Sequence, residues 1–440
     1  MNQEIKQRLE MIQKGEVPEG YKQTKIGIIP NDWKVEKFGN VCKDKGQYGA
    51  GESALPYSKD LPTYLRITDI DENGRIIKNN LMSVKLEDKK KYLLKENDLL
   101  FARTGGTTGK TYLYSKNDGD LYFAGFLIRF KINHDVTNPY FIKLYTETYQ
   151  YDKWVKIMSM RGGQPGINSE EYSSMRLPTP SLPEQTVIAE ILSNQDNLIE
   201  LKEKLLEEKK NLKKSLMQNL LSGKVRFKEF NDEWKEVKLK KLLKEILNRN
   251  KENQVKRVLS VTNKKGFVNQ DEYFGKEIAS KDISNYKIVS RGEFAYNPSR
   301  INVGSIDLLT SFENGILSPM YVIFKTKDNL NPIYFRYWLD THQFKGRIES
   351  FVAGSVRDSL AFKDMSMMKI LLPSLPEQEK IANTLQNQDK EISLLQEEIN
   401  QLKLQKKSLM QLLLTGIVRV SQNVIPSKVI NCGLKMEVEQ

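Results

Sequence analysis

Two stretches of the chain carry the same periodic pattern. From Pro373 to Val420, apolar residues recur at near-heptad spacing: Ile381, Leu385, Ile392, Leu395, Ile399, Leu402, Leu409 and Leu413, with Gln388 and Lys406 as polar interruptions. The same ladder lies 193 residues earlier as Ile188, Leu192, Gln195, Ile199, Lys202, Leu206, Lys209, Lys213, Leu216 and Leu220. Such a period predicts a helix whose apolar seam faces a partner helix. Lys202 and Lys209 break the first ladder, so its expected partner is the second helix rather than itself. Ser181 and Ser374 stand where a cap belongs, Pro183 and Pro376 suit the first turn, and Glu184 and Glu377 favour the positive helix start. Gly223 and Gly416 suit the C-terminal caps. Each helix runs about 40 residues, or ~60 Å at ~1.5 Å per residue.

Upstream of each helix the pattern changes to short apolar runs between turns. Thr63–Ile70, Asn97–Arg103, Lys110–Tyr114 and Leu121–Phe130 read as strands, as do Arg257–Asn263, Glu293–Arg300, Val303–Thr310 and Leu317–Thr326. Helical stretches follow at Tyr140–Met158 and Pro332–Ile348. Each half is therefore a mixed α+β domain followed by a long helix.

The halves are copies. Pro180–Phe227 and Pro373–Val420 align without a gap, and about half their positions are identical. Asn31-Asp32-Trp33 and Asn231-Asp232-Glu233-Trp234 open the copies, and Asn138-Pro139 matches Asn331-Pro332. Between these anchors the sequences diverge. One architecture has been kept twice while its middle surface varied, which suits a reader of two targets better than an enzyme with one active site.

Charge and composition narrow the class. The 440 residues carry 69 Lys+Arg against 56 Asp+Glu, a net charge of +13, which suggests an anionic partner such as nucleic acid. Two cysteines, Cys42 and Cys432, and two histidines, His134 and His342, leave little material for a disulfide framework or a metal site. The polar start of the chain is unlike a signal peptide, and no apolar run approaches the ~18 residues of a membrane span. A cytoplasmic protein without a membrane segment is the expectation.

Arg103–Thr111 resembles a phosphate loop but has Thr104 where the Walker A pattern needs glycine, and a strand-like segment rather than a helix follows it. It reads better as a turn that presents Arg103, Thr104, Thr107 and Lys110 to phosphates or base edges. Asn297, Ser299, Arg300 and Asn302 occupy the equivalent place in the second copy. A second pair of basic, glycine-containing loops holds Arg161 and Gln164 in one copy and Ser355 and Arg357 in the other. A solvated turn is the competing reading for each loop; two matching pairs favour the functional one. Asn138-Pro139-Tyr140 is similar to part of an adenine-methyltransferase motif, but an N-cap asparagine with proline in the first turn explains it. No HExxH, CxxC or GxSxG pattern occurs, so no catalytic residue, metal or cofactor is expected.

Pro-x-Leu-Pro-Glu-Gln, from Pro180 and from Pro373, opens each helix, and Lys-Lys-Ser-Leu-Met-Gln-x-Leu-Leu-x-Gly, from Lys213 and from Lys406, closes each. These paired motifs resemble the specificity subunits of type I restriction–modification enzymes, over roughly residues 20–420. The resemblance implies an α+β fold with an internal pseudo-twofold repeat: two target-recognition domains separated by two long antiparallel helices. The expected layout is a helical segment at 1–19, domains at 20–179 and 224–372, helices at 180–223 and 373–416, and a tail at 417–440. It also implies a non-catalytic subunit that reads a split, asymmetric site in double-stranded DNA. Its implied partners are two methyltransferase subunits and a restriction and motor subunit. A self-contained methyltransferase or nuclease, or a coiled-coil scaffold with no DNA role, are the rival readings.

Overall fold

The computed structural model describes residues 3–160, 164–274, 282–353 and 359–420. Arg161, Ser355 and Arg357 lie outside the described residues. The chain divides into two compact units: Met1–Lys202 with Glu398–Gln440, and Glu203–Glu397. The central helix Leu182–Leu221 and the C-terminal helix Leu375–Leu414 are therefore each shared between units.

In the first unit, helix α1 (Gln3–Gln13) precedes a four-stranded sheet of β1 (Gln47–Tyr48), β2 (Asp98–Ala102), β3 (Thr111–Leu113) and β4 (Leu127–Lys131). The strand order is β1-β4-β2-β3, antiparallel throughout. Strands β2 and β4 supply the aromatic centre: Phe101 and Phe130 meet edge to face and close on Phe38 and Tyr172. A separate three-stranded sheet, Thr63–Leu65 with Met82–Ser83 and Leu121–Phe123, extends the unit.

Helices α2 (Pro139–Tyr145) and α3 (Tyr149–Met158) replace the single helix expected over Tyr140–Met158. The break is chemical. Thr148 takes an extended backbone and its hydroxyl accepts the Tyr151 N–H, which starts a new helix. Asn138 caps α2 by accepting the Tyr140 and Phe141 N–H groups, with Pro139 in the first turn.

The second unit repeats the design. Strands β5 (Leu243–Ile246), β6 (Phe294–Tyr296), β7 (Ile306–Leu308) and β8 (Val322–Thr326) form a sheet in the order β5-β8-β6-β7. This is the order of the first sheet, position for position. Phe294 and Phe324 stack in its core, with Phe335 edge-on. Helices α4 (Pro332–Trp338) and α5 (His342–Ala353) again replace one expected helix, with Thr341 beside the restart. Here the middle differs: a hairpin, Leu259–Thr262 with Gly266–Asn269, and a second antiparallel pair, Lys287–Ser290 with Asn314–Leu317, stand where the first unit has its three-stranded sheet.

Each unit also contains a piece of both long helices. In the first unit Ile188 and Leu192, from the start of the central helix, share a core with Leu409 and Leu413, from the end of the C-terminal helix. In the second, Leu220 and Leu221 join Ile381 and Leu385. Within each unit the helices run antiparallel, because rising numbers on one meet falling numbers on the other. Lys202 pairs with Glu398 and Asp196 with Lys406; Lys209 pairs with Glu391 and Lys213 with Asp389. The lysines that break the first ladder thus meet carboxylates on the other helix. Ile199, Leu206, Leu395 and Ile399 are buried, while Leu216, Ile392 and Leu402 are half-buried.

Candidate nucleic-acid interface

The motifs shared by both copies turn out to build the frame. Gln185 is fully enclosed: its Oε1 accepts from Thr137 Oγ1 (2.7 Å) and the Asn138 N–H (2.9 Å), and its Nε2 donates to the Pro180 carbonyl (3.0 Å). Gln378 does the same for Asn331 and Pro373. Glu184 accepts from Trp33 Nε1 at 3.1 Å, and Glu377 from Trp234 Nε1 at 3.0 Å. The Pro-Glu-Gln motif thereby ties each helix start to the first tryptophan and the Asn-Pro turn of its own unit.

The diverged residues form loops at the sheet edge. Residues 103–110 join β2 to β3, and Gly105 and Gly109 hold the positive φ values of 78° and 93° that the turn requires. The loop leads into a strand, not a helix. Residues 164–167 pack directly on it: the Gly105 N–H donates to the Pro165 carbonyl (3.0 Å), and the Ile167 N–H donates to the Arg103 carbonyl (2.9 Å). Gln164 is exposed beside Gly105. The structure therefore brings Arg103, Thr104, Thr107 and Gln164 to one surface.

Arg103 lies with its guanidinium 4.7 Å from the centre of the Tyr48 ring. Among the described residues it has no carboxylate partner, unlike Arg66, Arg129 and Arg419, which are ion-paired. Its donors are thus available to a ligand, while the ring fixes the plane of the group. Lys110 is more committed, since its ammonium donates to Glu72 Oε1 (3.0 Å) and the Ile70 carbonyl (3.2 Å).

In the second unit the loop between β6 and β7 winds as a 3-10 turn over Pro298–Val303. Ser299, Arg300 and Asn302 are exposed on it. Asn297 is spent partly on the loop itself: its Oδ1 accepts the Ser299 N–H (3.1 Å), and its Nδ2 faces Met320 Sδ at 3.6 Å. Asn302 Oδ1 likewise accepts the Val303 N–H. Leu360, three residues after Arg357, donates its N–H to the Pro298 carbonyl.

Sequence reasoning missed two neighbours of Arg103. Tyr48 supplies the face on which it stacks, and Phe126 accepts its backbone N–H at 3.0 Å. Nothing in the local sequence marks Tyr48, because the stacking joins residues far apart in the chain. Among the described residues no cluster of His, Cys, Asp and Glu is arranged to hold a metal, and no helix is long and apolar enough to cross a membrane.

Paired units of one topology, each with an arginine-bearing loop at the same sheet edge, define a repeated recognition protein of nucleic-acid type. The family model for the type I restriction modification DNA specificity domain matches the chain twice, over residues 30–211 and 231–404. The chain belongs to that family of type I restriction–modification specificity subunits, whose role is DNA sequence recognition. Two relatives from Methanocaldococcus jannaschii align along nearly their whole length. A candidate MjaX type I restriction enzyme specificity subunit is 28% identical over 91% of this chain and 97% of its own. The MjaVIII specificity subunit is 25% identical over 91% and 96%. The crystal structure of a type I restriction–modification S subunit from M. genitalium shares the fold, with a TM-score of 0.53 at 14% identity, over 87% of this chain and 96% of that one.

Proposed function

We propose that this chain reads a bipartite, asymmetric target in double-stranded DNA, one half with each unit. The observation that carries the reading is the pair of topologically equal sheets whose edge loops present different sets of candidate contacts: Arg103, Thr104 and Thr107 between β2 and β3, with Gln164 beside them, against Ser299, Arg300 and Asn302 between β6 and β7. Lys110 and Asn297 belong to the same proposal, with Lys110 also held by Glu72 and the Ile70 carbonyl and Asn297 by Ser299 and Met320. Arg161, Ser355 and Arg357 belong to the same proposal by sequence. The chain acts without catalysing a reaction itself, in the cytoplasm, and docks two methyltransferase subunits and a restriction and motor subunit. The shared helix motifs support this, since they are kept in both copies while the loops vary.

The test is methylome sequencing of cells that carry the chain with its methyltransferase partner. Arg103→Ala should relax or weaken one half of the methylated motif, and Arg300→Ala the other. Equal loss in both halves would reject independent reading, and methyl transfer by the purified chain alone would reject the non-catalytic role.

A further inference from the structure

A second pair of equivalent positions stands beside the loops. In the first unit Ala124–Leu127 is a tight turn closed by the Leu127 N–H on the Ala124 carbonyl (2.9 Å). In the second, Ser318–Tyr321 is closed the same way by Tyr321 on Ser318 (3.0 Å). Each turn leads into the last strand of its sheet along the chain, β4 or β8, which stands second in the strand order. The third residue of each is large, apolar and turned outward: Phe126 is 60% exposed and Met320 is 61% exposed.

Both residues adjoin the proposed reading loop of their own unit. The Phe126 carbonyl accepts the Arg103 N–H, and Met320 Sδ faces Asn297 Nδ2. The first turn is also held firmly. The Gly49 N–H donates to the Leu127 carbonyl and Ala50 to Phe123, and the strand passes so close that a Cβ on Gly49 would lie 2.2 Å from the Ala124 oxygen. Phe126 is thus displayed from a fixed support rather than a loose loop.

One exposed apolar side chain means little by itself. Here the fold places one twice, at one turn position, beside two loops that have little in common but an arginine. Neither is needed by the core, because both already point away from it. What remains is a ligand surface with an apolar feature next to arginine and amide donors. In the major groove that feature is the 5-methyl group of thymine. We propose that Phe126 and Met320 each contact a thymine methyl, one in each half of the target. This rests on the half-site reading and deepens it.

The experiment uses the complex of the chain with its methyltransferase subunits, on the target mapped by methylome sequencing. Each thymine of the target is replaced in turn by deoxyuridine, which removes only the methyl group. At one thymine in one half-site, the replacement should weaken binding about fourfold, the factor that burial of one methyl carries. Phe126→Ala should lose that same factor on the thymine site and be indifferent to deoxyuridine there. Met320→Ala should do the same in the other half. Both residues are exposed, so the variants should fold.

A Phe126→Ala complex that binds as the parent does, or a mapped half-site without thymine on either strand, overturns the inference. So does a loss in Phe126→Ala that no deoxyuridine replacement reproduces, which instead marks a wedge between base steps. Arg103→Ala separates the two levels. If it relaxes its half-site while Phe126→Ala does not, only the methyl contact is wrong. If neither changes the target, the half-site reading itself has failed.

Discussion

Arg419, which follows the last turn of the C-terminal helix, closes on Glu184, in the first turn of the central helix, through two N···O contacts of 2.7 and 2.9 Å. The same guanidinium also holds Asp32. In the second unit Arg226, just past the central helix, closes on Glu377 at the start of the C-terminal helix. Each unit is thus sealed by the chain that leaves the other copy's helix. The unit that folds is not the unit that repeats in sequence.

The seal sets a first expectation. Glu184 is 6% exposed at its side chain and Arg419 39%, so Arg419→Ala strands a buried carboxylate with Trp33 as its remaining donor. Breaking a buried pair from one side costs roughly 3–5 kcal/mol, and the partial exposure of the arginine lowers this to roughly 1–3 kcal/mol. Arg419→Lys should recover only part, because an ammonium cannot span both oxygens. Urea unfolding measures both variants; an unchanged midpoint for Arg419→Ala would show the pair to be incidental.

Gln185 offers a cleaner case, since it carries no charge. Replacing it with Ala leaves the Thr137 hydroxyl, the Asn138 N–H and the Pro180 carbonyl unmatched in a buried place. At roughly 1–3 kcal/mol for a stranded buried group, with some relaxation, the expected loss is about 2–4 kcal/mol. A shift in denaturation midpoint at constant slope checks it. A loss as small as that of a surface substitution would count against the tie.

Much of this frame was legible in the chain. The ladder from Ile381 to Leu413 fixed the helices because a seam of that period cannot be left in water, and the duplicated motifs fixed the repeat. The Arg419–Glu184 seal was not legible, because an arginine after a helix looks like a solvated residue until folding brings it across 235 positions. The helix breaks do carry a signal, because Thr148 is a good cap residue, but the apolar pattern on either side of it masks the break. Phe126 was hidden for the opposite reason. Alternation assigns a phenylalanine in a strand-like run to the core, and only the turn at Ala124 faces it outward.

Acid should act on the first unit through Glu147. Burial works to raise its carboxyl, but the ammonium groups of Lys143 and Lys406 outweigh that and hold it below its ordinary value of 4.5. A depressed folded value means the charged form is the stabilised one. The contribution is therefore present above about pH 4.5 and lost as pH falls through the folded value. Glu147→Gln should lower stability at neutral pH and flatten the acid limb of the stability–pH curve. A variant with the parent's acid limb would place the acid sensitivity elsewhere.

Tyr48 lets the role of Arg103 be tested without touching the arginine. The ring face lies under the guanidinium, and the Tyr48 hydroxyl accepts the Ser169 N–H at 3.2 Å. Tyr48→Phe keeps the face and should leave DNA affinity near that of the parent, at a small cost in stability. Tyr48→Ala removes the face and frees the arginine to sample other rotamers. An exposed cation–π pair is worth about 0.5–1 kcal/mol, so affinity for the half-site read by the first unit should fall roughly two- to fivefold. The salt dependence of binding should barely change, because no charge has been removed and the number of displaced counterions is the same. Titration of the methyltransferase complex against the mapped target at several salt concentrations reads both quantities. Equal affinities for Tyr48→Ala and Tyr48→Phe, in proteins of equal stability, would mean that the stack does not orient Arg103 on DNA.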